Sequence, residues 1–329
     1  MGTYRSACTL TSDLSKAVSD TEERSSSIEG ETHLDALHTR VTHIAKLRDY
    51  AIAIVITIAA AFFLKTFVIE AYRIPTASME NTLLVGDYLL VNKFVYGATT
   101  PRRLPFSHAE LPFIQLPRVR MPERGDIIVF EFHNKGESEP FNATEPVNFV
   151  KRCVAVGGDT VQFVDSKLYV NGMPFPEIET MPSFYSGKLP NGYCDERMWP
   201  PGECFNREYY GPVVVPRTGE VDSLNLENIV MWQSLIRHEG HNVSIGQNRS
   251  IMIDGKPAST YTVEENYVFV VGDNRDNSLD SRYWGFVPER KIVGEAMMIY
   301  WSWDQEHSLW PITEKLASIR WNRIGRLVH

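Results

Sequence analysis

The run Gly272-Asp273-Asn274-Arg275-Asp276-Asn277-Ser278-Leu279-Asp280-Ser281-Arg282-Tyr283-Trp284-Gly285 crowds charged and amide side chains beside apolar segments. A calcium loop of the EF-hand kind needs a Gly at its sixth place and a Glu at its twelfth. Counted from Asp273, those places hold Ser278 and Trp284, which excludes calcium. What remains is a cross-linked polar framework, in which Asp and Arg pair, Asn and Ser satisfy backbone groups, and Tyr283 and Trp284 seal the underside. Two residues elsewhere could do the chemistry that such a framework supports. Ser78 stands in a proline-led loop, Ile74-Pro75-Thr76-Ala77-Ser78-Met79-Glu80-Asn81-Thr82-Leu83, flanked by small side chains. Lys151 stands in the apolar run Phe149-Val150-Lys151-Arg152. Strand alternation puts its amine on one face with Phe149, Cys153 and Ala155, where lysines are rare unless paired or functional. Burial disfavours the ammonium, and lowering its pKa by two or three units costs about 3–4 kcal/mol. The product is a neutral amine able to take a proton from a serine hydroxyl. On residue types alone an alternative stays open: Ser78 is a turn residue, and Lys151 snorkels or pairs with an acid such as Asp280.

Other serine arrangements fail. Asn81 occupies the lysine place of a Ser-x-x-Lys motif, and no Gly-x-Ser-x-Gly elbow surrounds Ser78. No Cys-x-x-Cys or Cys/His ligand spacing supports zinc. A net charge of -8 over 329 residues, with no basic stripe interleaved with aromatics, argues against nucleic acid as a partner.

The elements that must carry these residues come in a definite order. Residues 1–48 are rich in Ser, Thr, Glu and Asp and bury too little apolar surface to offset ordering entropy, so a disordered tail is expected. The apolar stretch 49–69 is long enough to span a bilayer. Lys65 lies about 20 Å along it from Tyr50, near the far face, from which it can snorkel. Fifty residues of partly acidic chain before the stretch argue for a retained anchor over a cleaved signal. Arg40, Lys46 and Arg48 before the span and Glu70 after it place the tail in the cytoplasm and the rest outside.

Beyond the span the pattern turns to short β runs: Tyr88–Val91, Asp126–Phe132, Phe149–Val156, Thr160–Val164, Tyr267–Val271 and Glu295–Trp301, bounded by Gly-Asp and Gly-Gly pairs. Without long helical patterns between them, a mostly antiparallel β domain is expected over 70–303. Asn171-Gly172 and Asp254-Gly255 each follow a strand and read as two hairpins, turn chemistry reached twice and not a repeat. The stretch between them, with Pro182, Pro190, Pro200-Pro201 and Pro212, reads as an inserted second lobe at about 165–264. Cys194 and Cys204 lie within it, and a disulfide or two free thiols are both open. Cys8 falls in the tail. The terminal segment 304–329 mixes basic and bulky apolar residues and either lies on a membrane surface or packs on the body.

Four blocks in order behind an apolar segment, Ile74–Leu83, Arg124–Phe130, Phe149–Arg152 and Gly272–Gly285, resemble bacterial type I signal peptidase over roughly 51–302. The resemblance implies a mostly β fold, an antiparallel catalytic domain with an inserted lobe, anchored by an N-terminal transmembrane helix in the bacterial inner membrane with the catalytic side outside. It implies an endopeptidase that removes signal peptides from exported preproteins after Ala-x-Ala sites, with membrane lipid and, indirectly, the secretion machinery as partners, and neither cofactor nor metal. Ser78 matches the nucleophile and Lys151 the general base; the Ser78 amide and the Thr76 hydroxyl match the oxyanion donors. Ser278 matches a residue that hydrogen-bonds the lysine amine, and Asp280 and Arg282 match an ion pair near Arg152. Tyr72, Ile74, Met79, Phe149 and Val150 match the lining of shallow pockets for small side chains. The chain departs from the family's pattern at Thr76, where Ser is common, and at Ala77 and Glu80-Asn81, where Gly and Met-Pro are common. Rival readings are a self-cleaving Ser/Lys protease and a membrane-anchored β domain that binds without cleaving.

Overall fold

The computed structural model describes residues 43, 46–97, 116–132, 147–176, 187–304 and 312–328. Most of the expected disordered tail, with Cys8 and Arg40, lies outside the described residues, as does Pro182. The chain divides into two compact units, Met1–Phe63 and Leu64–His329.

Helix α1 runs from Lys46 to Val68 with a mean hydropathy of 2.3, long and apolar enough to cross a membrane. Its apolar side chains, among them Ile52, Ile54, Val55, Ile56 and Ile58, stand exposed, an arrangement that water penalises and lipid does not. Thr57, a hydroxyl inside this run, is satisfied locally by donating to the Ala53 carbonyl at 2.8 Å. The last turn, Leu64–Val68, is a π-turn. The helix stops one residue short of the expected span, because Ile69 already pairs with Asn92 as the first residue of a strand.

In chain order the body has strands β1 (Ile69–Arg73), β2 (Asp87–Asn92), β3 (Ile127–Phe132) and β4 (Val147–Val156), then β5 (Thr160–Val164), β6 (Lys167–Val170), β7 (Met173–Pro174) and β8 (Tyr210–Val214). There follow β9 (Val221–Ser223), helix α2 (Ile229–His238), β10 (Val243–Ile245), β11 (Ile251–Ile253), β12 (Lys256–Pro257) and β13 (Thr260–Thr262). Last come β14 (Tyr267–Val271), helix α3 (Ser281–Trp284), β15 (Val287–Pro288), β16 (Ile292–Ser302) and helix α4 (Ile312–Ala317). Seven strands form the main sheet in the order β1-β2-β16-β3-β4-β14-β15, every neighbouring pair antiparallel. The order β7-β6-β5-β8 makes a second sheet, and two smaller ones pair β10-β11-β12 and β13-β9.

Strand β3 shows why the main sheet needs both faces covered. Ile127 and Val129 enter one apolar cluster with Ile74, Met79, Leu83 and Leu89, while Ile128 and Phe130 enter another with Cys153, Val270 and Trp284. The segment read as an inserted lobe shares a third cluster with the main sheet: Phe163, Tyr210, Trp232 and Ile236 pack with Val154, Tyr267 and Phe269. Both expected hairpins form as two-residue turns, with Asn171 and Gly172 at φ 53° and 73° and Asp254 and Gly255 at 50° and 76°. Cys194 and Cys204 are disulfide-bonded. Of the two alternatives for the terminal segment, the described part packs on the body: Met298 bridges Leu327, Trp303 bridges Ile319, and Val328 joins the cluster under Ile74.

Candidate active site

Ser78 is carried on a loop whose neck is closed by two backbone bonds, from the Ile74 amide to the Asp87 carbonyl (2.9 Å) and from the Gly86 amide to the Ile74 carbonyl (3.0 Å). Met79 and Leu83, 1% and 0% exposed, anchor the loop in the apolar cluster beneath it and leave the half-buried Ser78 above. Ala77–Met79 form a single 3-10 turn. Asn81 then takes φ 92°, a left-handed conformation that Asn tolerates and proline cannot adopt.

Lys151 sits on β4 opposite Ile128 of β3, 2% exposed, with its Nζ 2.6 Å from Ser78 Oγ and 5.9 Å from the centre of the Phe149 ring. Burial draws its amine down to about 8, against Asp280 and Asp273, whose charges pull it back up. The expected shared face holds for Phe149 and Cys153. Ala155 lies in the third cluster instead, because a register shift between Phe269 and Val270 changes the alternation against β14. Asp280, the acid the alternative reading gave to Lys151, pairs with Arg282.

The loop after β14 ties these parts together. The Asn274 amide donates to the Ser78 carbonyl (3.2 Å), and its side-chain Nδ2 to the Ala77 carbonyl (3.1 Å). Asp273 receives Arg152 in a two-pronged ion pair, both contacts at 2.8 Å, and also the Thr82 hydroxyl at 2.6 Å. Asp280 and Arg282, 0% and 1% exposed, form a second fork at 2.9 Å, and Arg282 also donates to the Arg275 carbonyl. Burial by itself would push the Asp280 carboxyl up, but Arg282 and the Gly272 amide outweigh it and hold the group below its ordinary range. Gly272 has no room for a side chain: a Cβ there would fall 2.2 Å from Ser278 Oγ and 2.5 Å from the Ser78 carbonyl oxygen.

Asp280 and Arg282 form the ion pair that the resemblance implies, and Arg152 has its own acid, Asp273. One detail differs from what the resemblance implies. The Ser278 hydroxyl, buried against Gly272, takes no hydrogen bond among the described residues, and the hydrogen bond of the Lys151 amine goes to Ser78 Oγ. Thr76 is extended and exposed, and its hydroxyl caps no amide of the turn that follows. The Ser78 amide lies in the first turn of that 3-10 segment, where amides have no intrahelical acceptor. Of the expected pocket residues, Ile74 and Met79 are core, Tyr72 and Val150 pack half-buried against the same cluster, and Phe149 packs against the other one. Asp273, Asn274 and Thr82 were not singled out by the sequence; their signal was membership of the same two polar loops.

The residues 47–301 match the family model described as signal peptidase, peptidase S26. A signal peptidase I of Buchnera aphidicola subsp. Baizongia pistaciae is 31% identical over 279 residues, 81% of this chain and 79% of that protein. One from Aquifex aeolicus is 32% identical over 269 residues, 78% of this chain and 85% of its own length. A solved signal peptidase I from Enterococcus faecalis V583 is 22% identical, with 54% of this chain and 97% of that chain covered at a TM-score of 0.22.

Proposed function

Because the chain belongs to the signal peptidase family, peptidase S26, and is a serine endopeptidase that removes signal peptides from preproteins, we propose that it works through a Ser78/Lys151 dyad at the outer face of a membrane. The observation that carries this reading is the 2.6 Å contact between a 2% exposed amine, drawn down to about 8, and a serine hydroxyl on a pinned loop. In its neutral form Lys151 Nζ accepts the Ser78 proton as Oγ attacks the scissile carbonyl. The resulting ammonium returns that proton to the leaving amine nitrogen, and the acyl-enzyme forms. Neutral again, Lys151 takes a proton from water as the water attacks the acyl carbonyl, then gives that proton to Ser78 Oγ as the ester bond breaks and the acid is released.

The oxyanion that develops in both steps falls to the Ser78 amide and the Thr76 hydroxyl, two donors beside the nucleophile, the hydroxyl capping no amide of the turn that follows it. Asp280, Arg282 and Arg152 brace the framework loop, Ser278 packs against Gly272 beside the Ser78 carbonyl, and none of the four does bond chemistry. Tyr72, Ile74, Phe149 and Val150 shape the pockets for small side chains at Ala-x-Ala sites, with Met79 as the floor under the nucleophile. Helix α1 anchors the chain, N-terminus in the cytoplasm, so that the site meets substrates that are themselves apolar helices ending at the bilayer; lipid and the secretion machinery are its surroundings. The test is cleavage of an added preprotein with an Ala-x-Ala site by wild-type protein and by Ser78→Ala. Cleavage in trans that Ser78→Ala abolishes supports the dyad, and a chain that cuts only itself supports the self-cleaving alternative.

A further inference from the structure

The terminal segment does more than cover the sheet. Arg323, 7% exposed, makes a fork to the fully buried Asp87, with Nε at 3.0 Å from Oδ1 and Nη2 at 2.6 Å from Oδ2. The same Nη2 donates to the Thr82 backbone carbonyl at 2.9 Å. Asp87 also accepts the Ser302 hydroxyl and the Leu84 amide, and Arg320 donates to the Val85 carbonyl. Residues 82, 84, 85 and 87 make up the return limb of the Ser78 loop, and three of them are bonded to arginines from the other end of the chain.

Thr82 is where this clamp meets the site. Its carbonyl is held by Arg323, while its hydroxyl donates to Asp273 at 2.6 Å and receives Arg152 Nη2 at 3.4 Å. Arg152 follows Lys151 on β4, and Asp273 precedes Asn274, whose amide holds the Ser78 carbonyl. Nucleophile loop, base-bearing strand and framework loop therefore converge on one residue, and the C-terminal arginine sets that residue's backbone position. Resting on the dyad reading above, we propose that Arg323 is a positioning residue for peptide hydrolysis: through Thr82 it fixes the distance between Ser78 and Lys151.

A lysine at 323 keeps the charge opposite Asp87 but cannot make the fork and the bond to the Thr82 carbonyl together. Thr82→Val keeps the branched shape and removes the hydroxyl. The experiment compares full-length wild type, Arg323→Lys, Thr82→Val and the double variant in detergent, with kcat and KM for a preprotein carrying an Ala-x-Ala site and the melting temperature of each. Small displacements of reacting groups cost up to about a hundredfold, so each single variant is expected to lose about tenfold or more in kcat with KM within about twofold. The double variant is expected to lose little beyond the worse single one, since both act through the same residue. Wild-type kcat in Arg323→Lys, or a double variant whose loss is the product of the two, overturns the proposal. If Arg323→Lys does not fold, Arg323→Gln, which keeps a donor for the Thr82 carbonyl, takes its place in the same comparison. Failure of the wild type to cleave at all would instead sink the dyad reading on which this one rests.

Discussion

Replacing Lys151 by Met should make the protein more stable and inactive at once, and the gain in stability should disappear as the pH rises. The buried amine titrates at about 8 in the folded chain against 10.5 in its ordinary state. The folded value lies below the unfolded one, so the cost of burying Lys151 is fully present below pH 8 and fades as the pH climbs from 8 to 10.5. About 2.5 units at about 1.4 kcal/mol each gives a cost of roughly 3 kcal/mol at pH 7. Methionine fills much the same space without a charge and forfeits only the contact with Ser78 Oγ, about 1 kcal/mol. The net gain is about 2–3 kcal/mol, which for a body of this size is about 4–10 °C in Tm. Thermal unfolding of both proteins in the same detergent at pH 7 and at pH 10.5 measures it. A Lys151→Met protein that melts below wild type at pH 7, or one whose advantage is the same at both pH values, would refute a buried, down-shifted amine. The same titration governs turnover: with an amine near 8, the neutral fraction rises from about one in eleven at pH 7 to about ten in eleven at pH 9, and kcat/KM should rise about tenfold.

Three further outcomes are expected. Thr76→Val should lower kcat by about 10²–10³ with little change in KM, because it removes one oxyanion donor and keeps the shape of the loop; near-normal kcat would move the oxyanion hole elsewhere. Gly272→Ala should destabilise by about 1–3 kcal/mol and depress activity, since the new methyl falls on Ser278 and on the Ser78 carbonyl; an unchanged melting temperature would mean that the framework loop yields freely. A reporter fused after Val328 should be active only outside the cytoplasm, and one fused before Arg40 only inside, with the reverse pattern overturning the orientation.

The strands were legible where apolar runs ended in turn residues with one good conformation. Asn171-Gly172 and Asp254-Gly255 lie in the left-handed region that only such pairs enter readily. Strand β1 was hidden because Ile69 extends the apolar run of α1, so nothing in composition separates a span's last turn from a strand's first residue. The pairing of Ser78 with Lys151 could be stated from the resemblance, but the partners inside the framework could not. With Asp273, Asp276 and Asp280 beside Arg275 and Arg282 in one loop, spacing offers no rule for which acid Arg152 takes. Nor could sequence place Arg323 in the core, since arginine is ordinarily exposed and the carboxylate that permits its burial is Asp87, on the opposite end of the body's sequence. Family pattern located the chemistry, whereas the supporting contacts depend on which distant segments the fold brings together.

The central claim, that Ser78 and Lys151 act as one nucleophile–base unit, is tested most directly by single-turnover cleavage of an added Ala-x-Ala preprotein by wild type, Ser78→Ala, Lys151→Ala, Lys151→Arg and the double alanine variant, each shown to be folded by its melting curve. Residues that act as a unit do not lose activity additively. The account expects both single alanine variants, the arginine variant and the double variant to fall to the same residual rate, arginine included because its guanidinium stays protonated. Appreciable cleavage by either Lys151 variant, or a double variant far slower than Ser78→Ala alone, would contradict it.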